Sequence, residues 1–113
     1  MRAANSQLSP VVATDGWVAA GDAAAAFDPI SALGIGFSLR SGMEAARVAV
    51  AAAEGDDDDA AAAYTASVTR IYEDYRARYH GIYLQERRWP DAPFWARRAP
   101  AAHPARGEVE AVR

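Results

Sequence analysis

The chain has 113 residues, a hydrophobic share of 51% and a formal net charge of −3. That length allows one small domain, but alanine supplies much of the apolar share, and alanine favours helix while burying little area. The charge implies no nucleic-acid partner, the lack of Cys excludes disulfides, thiolate metal sites and a cysteine nucleophile, and the 12 basic residues are all Arg, which excludes a lysine base or Schiff base. The start, MRAANSQLSP, lacks the apolar run of a signal peptide. No stretch approaches the roughly 18 unbroken apolar residues of a membrane span. No membrane association and a cytoplasmic location are therefore expected.

Residues 1–16 read as a lead-in loop: polar as far as Pro10, then a short apolar run, Val11-Val12-Ala13, then the turn signal Thr14-Asp15-Gly16. The two apolar runs, Val11-Val12-Ala13 and Trp17 to Ala20, read together as one short strand, or two, buried on both faces, mainly at Trp17 to Ala20 and ended by Gly21-Asp22. A lone strand leaves its N–H and C=O groups unpaired, so this one is expected to find its partners outside the chain. Phe27-Asp28-Pro29-Ile30 is a loop, because Pro29 lacks an N–H and disfavours helix at Asp28. Ser31 is a candidate N-cap. A helix follows from about Gly34 to Ala53, with Leu39, Met43, Ala46 and Val50 as its apolar stripe and Gly55 as its stop.

Asp56 to Asp59 form an acidic loop whose last Asp caps the next helix. Calcium binding would need spaced ligands and a Gly turn, which are absent. A second helix is predicted from about Ala60 to Arg88, with Tyr64, Val68, Ile71, Tyr75, Tyr79 and Ile82 along one face. That face reads as core with polar tips rather than as a stacking platform for nucleic acid. Arg40, Arg47 and His80 read as structural surface residues. From Trp89 the chain turns aromatic: Trp89, Phe94 and Trp95 are expected to dock on something. Residues 99–113, including His103, read as a disordered tail. The expected fold class is an α/β fragment, with one short strand, two long helices and an aromatic tail, largely helical as an isolated chain.

Two features carry chemistry. Gly21-Asp22 stands at the end of a strand, where open α/β sheets bind ligands and where a carboxylate can accept hydrogen bonds from hydroxyls. Gly34-Ile35-Gly36 opens a helix with little side chain over its first turn, and bare N–H groups there attract negative charge. One carboxylate for a polyol and one positive helix end for an anion suit a flavin, with its ribityl chain and its N1/O2 edge.

The stretch from Trp17 through Gly21-Asp22-Ala23-Ala24 and Asp28-Pro29 to Gly34 resembles the second FAD-binding motif of flavin-dependent monooxygenases. Its relatives are the tryptophan-halogenase-like flavoproteins, including those that help mature quinone-cofactor amine oxidases. Arg40-Ser41-Gly42, the Tyr-rich second helix, Arg87-Arg88-Trp89-Pro90 and Pro93-Phe94-Trp95 extend the resemblance over about residues 11–98.

The resemblance implies a Rossmann-like FAD-binding fold, of which residues 17–98 would form the C-terminal part. It implies that Asp22 binds the ribityl hydroxyls and that Gly21 allows close approach. Asp28 and Pro29 would shape the loop beside the isoalloxazine, and the amides near Gly34, Ile35 and Gly36 would face its N1/O2 edge. It implies further that reduced FAD and oxygen oxygenate a small-molecule or peptidyl aromatic substrate, with a flavin reductase as a possible partner. Halogenating members carry a polar residue before the helix glycine and use a Lys. Here Leu33 follows Ala32 and there is no Lys, which favours oxygenation over a halogenase. The Gly-x-Gly-x-x-Gly turn for the ADP pyrophosphate is absent from the sequence, so an N-terminal FAD-binding portion is the expected complement. The competing expectation is a non-enzymatic helical remnant that binds a protein through Trp89, Phe94 and Trp95.

Overall fold

The computed structural model describes residues 5–14, 16–55 and 58–96. By its contacts the chain divides into two units, Met1–Ala77 and Arg78–Arg113.

The first unit begins with four two-residue strands: β1 (Gln7–Leu8), β2 (Ala13–Thr14), β3 (Trp17–Val18) and β4 (Ala25–Ala26). The pair β2–β3 is a tight hairpin with Ala13 opposite Val18 and Thr14 opposite Trp17. It turns through Gly16 at φ +84°, and Ala19 N–H donates to the Val12 carbonyl at 2.8 Å. The pair β1–β4 is antiparallel as well, with Gln7 opposite Ala26 and Leu8 opposite Ala25. The expectation of one lone strand is corrected here. The Trp17 strand is shorter than foreseen, its Trp17 is exposed, and its backbone is paired within the chain. The segment foreseen as a lead-in loop supplies β1 and β2, of which β2 is the partner of the Trp17 strand.

Two helices follow: α1 (Gly34–Glu54) lies in this unit, and α2 (Asp58–Tyr83) begins in it and supplies its last turns, from Arg78, to the second. Gly55 ends α1 as expected: it takes φ +81° and its N–H closes on the Ala51 and Ala52 carbonyls. The buried face of α1 is Phe37, Ser41, Ala45 and Val48. The predicted stripe is on the other side, with Leu39, Met43 and Val50 at 68%, 61% and 57% exposure. The reason is chemical. Phe37 meets Phe27 edge-on at 4.8 Å, and Phe27 meets Tyr75 in the same way at 5.0 Å. Ser41, 1% exposed, supplies a hydrogen bond that an aliphatic face cannot. Aromatic burial and one satisfied polar contact outweigh the alternative packing.

The core face of α2 is Tyr64, Val68, Tyr72 and Tyr75. Its outward side carries Arg70, Glu73, Asp74 and Arg76, all exposed. Ile82, predicted as core, is exposed.

The helix α2 ends at Tyr83, five residues before the predicted Arg88. Its hydrogen bonds loosen there, from Leu84 N–H to the His80 carbonyl at 3.1 Å to Glu86 N–H on the Tyr83 carbonyl at 3.3 Å. Gly81 weakens this last turn. The Glu86 carboxylate then folds over onto the Arg88 N–H at 2.7 Å and its guanidinium at 2.9 Å, and Pro90 disfavours a helical backbone at Trp89.

In the second unit, the short α3 (Pro93–Ala96) returns the aromatic segment to the helix end. Tyr83 lies 5.7 Å from Trp95 and 6.0 Å from Phe94, ring to ring. Trp89 stays exposed, with the Arg88 guanidinium 4.4 Å above its ring. The predicted disordered tail, 99–113, and the acidic pair Asp56-Asp57 lie outside the described residues.

Candidate functional site

Gly21 and Asp22 stand in a 3₁₀ turn, Gly21–Ala23, that packs on α1. Gly21 has φ +56°, and a Cβ there would sit 3.1 Å from the Ser38 Oγ. Glycine is favoured by the left-handed backbone conformation, and a Cβ there would also press on the Ser38 hydroxyl. The close neighbour is α1 of this chain, where the sequence pointed to a ligand or another strand. Gly21 N–H donates to the Ser41 Oγ at 2.9 Å. Ser38 is four residues into α1, about 6 Å along its axis from Gly34. Ser41 is seven residues in, about 10 Å along the axis, so the Asp22 turn is held one to two helical turns from the α1 N-terminus. Asp22 is exposed, and its carboxylate makes no hydrogen bond among the described residues.

Asp28 serves the loop. Its Oδ1 accepts the Ile30 N–H at 3.0 Å, which caps the 3₁₀ turn Pro29–Ser31, and Pro29 fits the first position of that turn. Ser31, the candidate N-cap, does not hold the N-cap position of α1. It lies one turn earlier, where its Oγ donates to the Asp28 carbonyl at 2.7 Å and accepts the Leu33 N–H at 3.3 Å. Leu33 holds the N-cap position with no side-chain cap. Ala32 between them adopts φ +53°, a left-handed conformation that costs a non-glycine residue roughly 1–2 kcal/mol.

The first α1 amide with a backbone acceptor is that of Phe37, which donates to the Leu33 carbonyl at 2.8 Å. The N–H groups of Gly34, Ile35 and Gly36 precede it and have no hydrogen-bond partner among the described residues. Ile35 is 82% exposed. A Cβ at Gly34 or Gly36 would meet nothing within 4 Å. The packing of this chain does not require glycine at either place, and each lowers helix stability by up to about 1 kcal/mol. What the two glycines do provide is open access to three unbonded amides at the positive end of a 21-residue helix.

Three hydroxyls that the sequence reading did not single out fix this loop to the helices. Ser41 holds the Gly21 N–H. Tyr64 O–H donates to the Ala19 carbonyl at 2.7 Å. Tyr75 O–H accepts the Asp28 N–H at 3.1 Å and is hydrogen-bonded to Ser6. Burial raises the Tyr64 phenol above its ordinary value of 10.0, the nearby Ser41 hydroxyl partly opposes this, and the Glu44 charge adds to the rise. The only signal for these roles was the polar tip of each Tyr on a core stripe; the partners lie 45 and 47 residues away.

A cleft of about 350 Å³ between α1 and α2 is lined by Glu44, Arg47, Val48, Ala60, Ala63, Tyr64 and Ser67. None of the predicted site residues lines it. Among the described residues no group of His, Asp and Glu could hold a metal ion. No helix among them is long and apolar enough to cross a membrane.

The site therefore offers a free carboxylate on a pinned turn and an uncapped, glycine-flanked helix start beside it. No protein family matches the chain, and no solved structure does. Over 98 residues, 87% of its length, the chain is 39% identical to LodB of Marinomonas mediterranea, a protein provisionally named an FAD-dependent oxidoreductase. The match covers 26% of that relative, so the chain spans about a quarter of the length of the protein it resembles.

Proposed function

We propose that this chain supplies the flavin-contacting part of an FAD-dependent oxidoreductase with a Rossmann-like fold. The observation that carries the reading is the juxtaposition just described: the unpartnered Asp22 carboxylate and the three unbonded amides of Gly34, Ile35 and Gly36, joined through the Ser38 and Ser41 contacts of Gly21. The similarity to LodB supports it. In this reading Asp22 accepts hydrogen bonds from the ribityl hydroxyls. The first-turn amides and the α1 dipole face the N1/O2 edge, where negative charge gathers on reduction. Asp28 and Pro29 set the loop between them and do not bind the ligand through the Asp28 carboxylate, which is engaged with Ile30. When bound, FAD supplies the redox chemistry, and the protein orients it.

Oxygenation of an aromatic small molecule or peptidyl side chain, with a reductase as electron source, is the finer reading. The position before Gly34 supports it over halogenation. Leu33 has no polar side chain to offer a halide, and its N–H is already taken by Ser31.

The test uses the 113-residue chain labelled for amide NMR and titrated with FMN and with FAD. The ADP half of FAD has no Gly-x-Gly-x-x-Gly turn to hold it here. Both ligands should therefore bind alike and weakly, with Kd on the order of 1 mM. Shifts should centre on Gly21, Asp22 and Gly34 to Gly36. Shifts confined to the Tyr83–Trp95 cluster, or none at all, would remove the proposal.

A further inference from the structure

The helix α1 is apolar on two opposite sides. One is the buried face of Phe37, Ala45 and Val48. The other is the exposed stripe of Ile35, Leu39, Met43, Ala46 and Val50. At 100° per residue this stripe, with Gly42, Ala49 and Ala53, spans an arc of about 120° that contains no charged residue over the whole helix. The four charges, Arg40, Glu44, Arg47 and Glu54, share one narrow strip between the two faces. The helix α2 shows what a solvent face looks like in the same chain, with Arg70, Glu73, Asp74 and Arg76 outward. A helix that is apolar nearly all round is one that becomes buried.

We infer that the exposed α1 stripe is the surface on which the remainder of the flavoprotein docks, meaning the polypeptide that holds the ADP half of FAD, whether in the same chain or a separate one. This rests on the flavin reading of the α1 N-terminus. The stripe begins at Ile35, between the two glycines whose amides that reading gives to the flavin, so whatever covers it continues the wall of the flavin site. About three quarters of the length of LodB lies outside the match, so that relative carries polypeptide enough to cover the stripe. A second copy of this chain does not qualify, because it brings no Gly-x-Gly-x-x-Gly turn. The uncharged arc asks for an apolar partner surface, with complementary charge only along the Arg40–Glu54 edge.

The experiment co-expresses the 113-residue chain with a tagged LodB segment from which the matched part is deleted, in the presence of riboflavin. The two should co-purify. Leu39→Arg and Met43→Arg should each lower the co-purified amount by about tenfold or more, since each places a charge against apolar surface. Arg76→Glu, on the α2 solvent face, should leave it unchanged. Circular dichroism of each variant alone should match the parent chain, because both residues are exposed in it. Failure to co-purify, or insensitivity to both Arg variants, would overturn the inference. So would a defined dimer of the chain in sedimentation that Leu39→Arg dissolves, which would make a second copy the occupant. Co-purification that depends on the stripe but carries no flavin would keep the docking surface and overturn the flavin reading instead.

Discussion

Ser41→Ala removes one oxygen from the least exposed polar side chain of the core, and its cost can be worked out from the contacts. The Gly21 N–H loses its acceptor at 2.9 Å, and the Ser38 carbonyl loses a long hydrogen bond at 3.3 Å. The void is too small to matter, so the penalty is that of a donor left unsatisfied. Gly21 is half-buried, which places the loss in the lower part of the usual range, about 1–2 kcal/mol. Against a total stability of roughly 5–10 kcal/mol for a domain of this size, that is a large fraction. In urea, with a slope near 1–2 kcal/mol per molar, the unfolding midpoint should fall by about 1 M. Exchange of the Gly21 amide should quicken in the same variant, while that of the Asp28 amide, held by Tyr75, should not. A midpoint within about 0.2 M of the parent would show that the Gly21 contact is not what anchors the Asp22 turn.

Further outcomes follow from the same contacts. Gly34→Ala and Gly36→Ala should each stabilise the chain alone by up to about 1 kcal/mol, since their Cβ atoms meet nothing, while weakening FMN binding; a gain in both properties would contradict the role given to the open helix start. Because the Tyr64 phenol is raised, its neutral form is favoured in the folded state. Its contribution is complete below pH 10 and is lost as pH rises above that value. Tyr64→Phe should flatten that alkaline decline in a pH series of urea midpoints. The Arg88 hydrogen bonds lower the Glu86 carboxyl to about 2, so the clasp should persist as pH falls and open only near that value. An NMR titration should return Glu86 toward 4.5 in Arg88→Ala.

The helix α1 was legible because its ends are punctuated by residues with backbone consequences: Pro29 and the glycines before it, Gly55 after it. Its buried face was not. In an alanine-rich helix the stripe of Leu39, Met43 and Val50 has as good a period as Phe37, Ala45 and Val48, and the winning face contains a Ser that a hydrophobicity pattern rejects. What decided the matter was remote: Phe27 needed an aromatic neighbour and Gly21 needed an acceptor. The strands escaped for a different reason. Two-residue ladders such as Gln7–Leu8 with Ala25–Ala26 are too short to show alternation, and the pairing is set by the turn that Gly21 makes on α1. For the site, Gly21-Asp22 and Gly34-Ile35-Gly36 could be picked out as residue types. The division of labour between the two Asp residues could not, because it depends on where the Ile30 amide points.

That division is where the account is most exposed. In the FMN titration of the 113-residue chain, Asp22→Ala should weaken binding by about tenfold or more, as expected for loss of a carboxylate bonded to hydroxyls, and should leave the urea midpoint nearly unchanged. Asp28→Ala should do the reverse, lowering stability by about 1 kcal/mol through the lost cap with a smaller effect on affinity. Equal losses of affinity in the two variants, or a larger one for Asp28→Ala, would contradict the assignment of Asp22 as the flavin ligand.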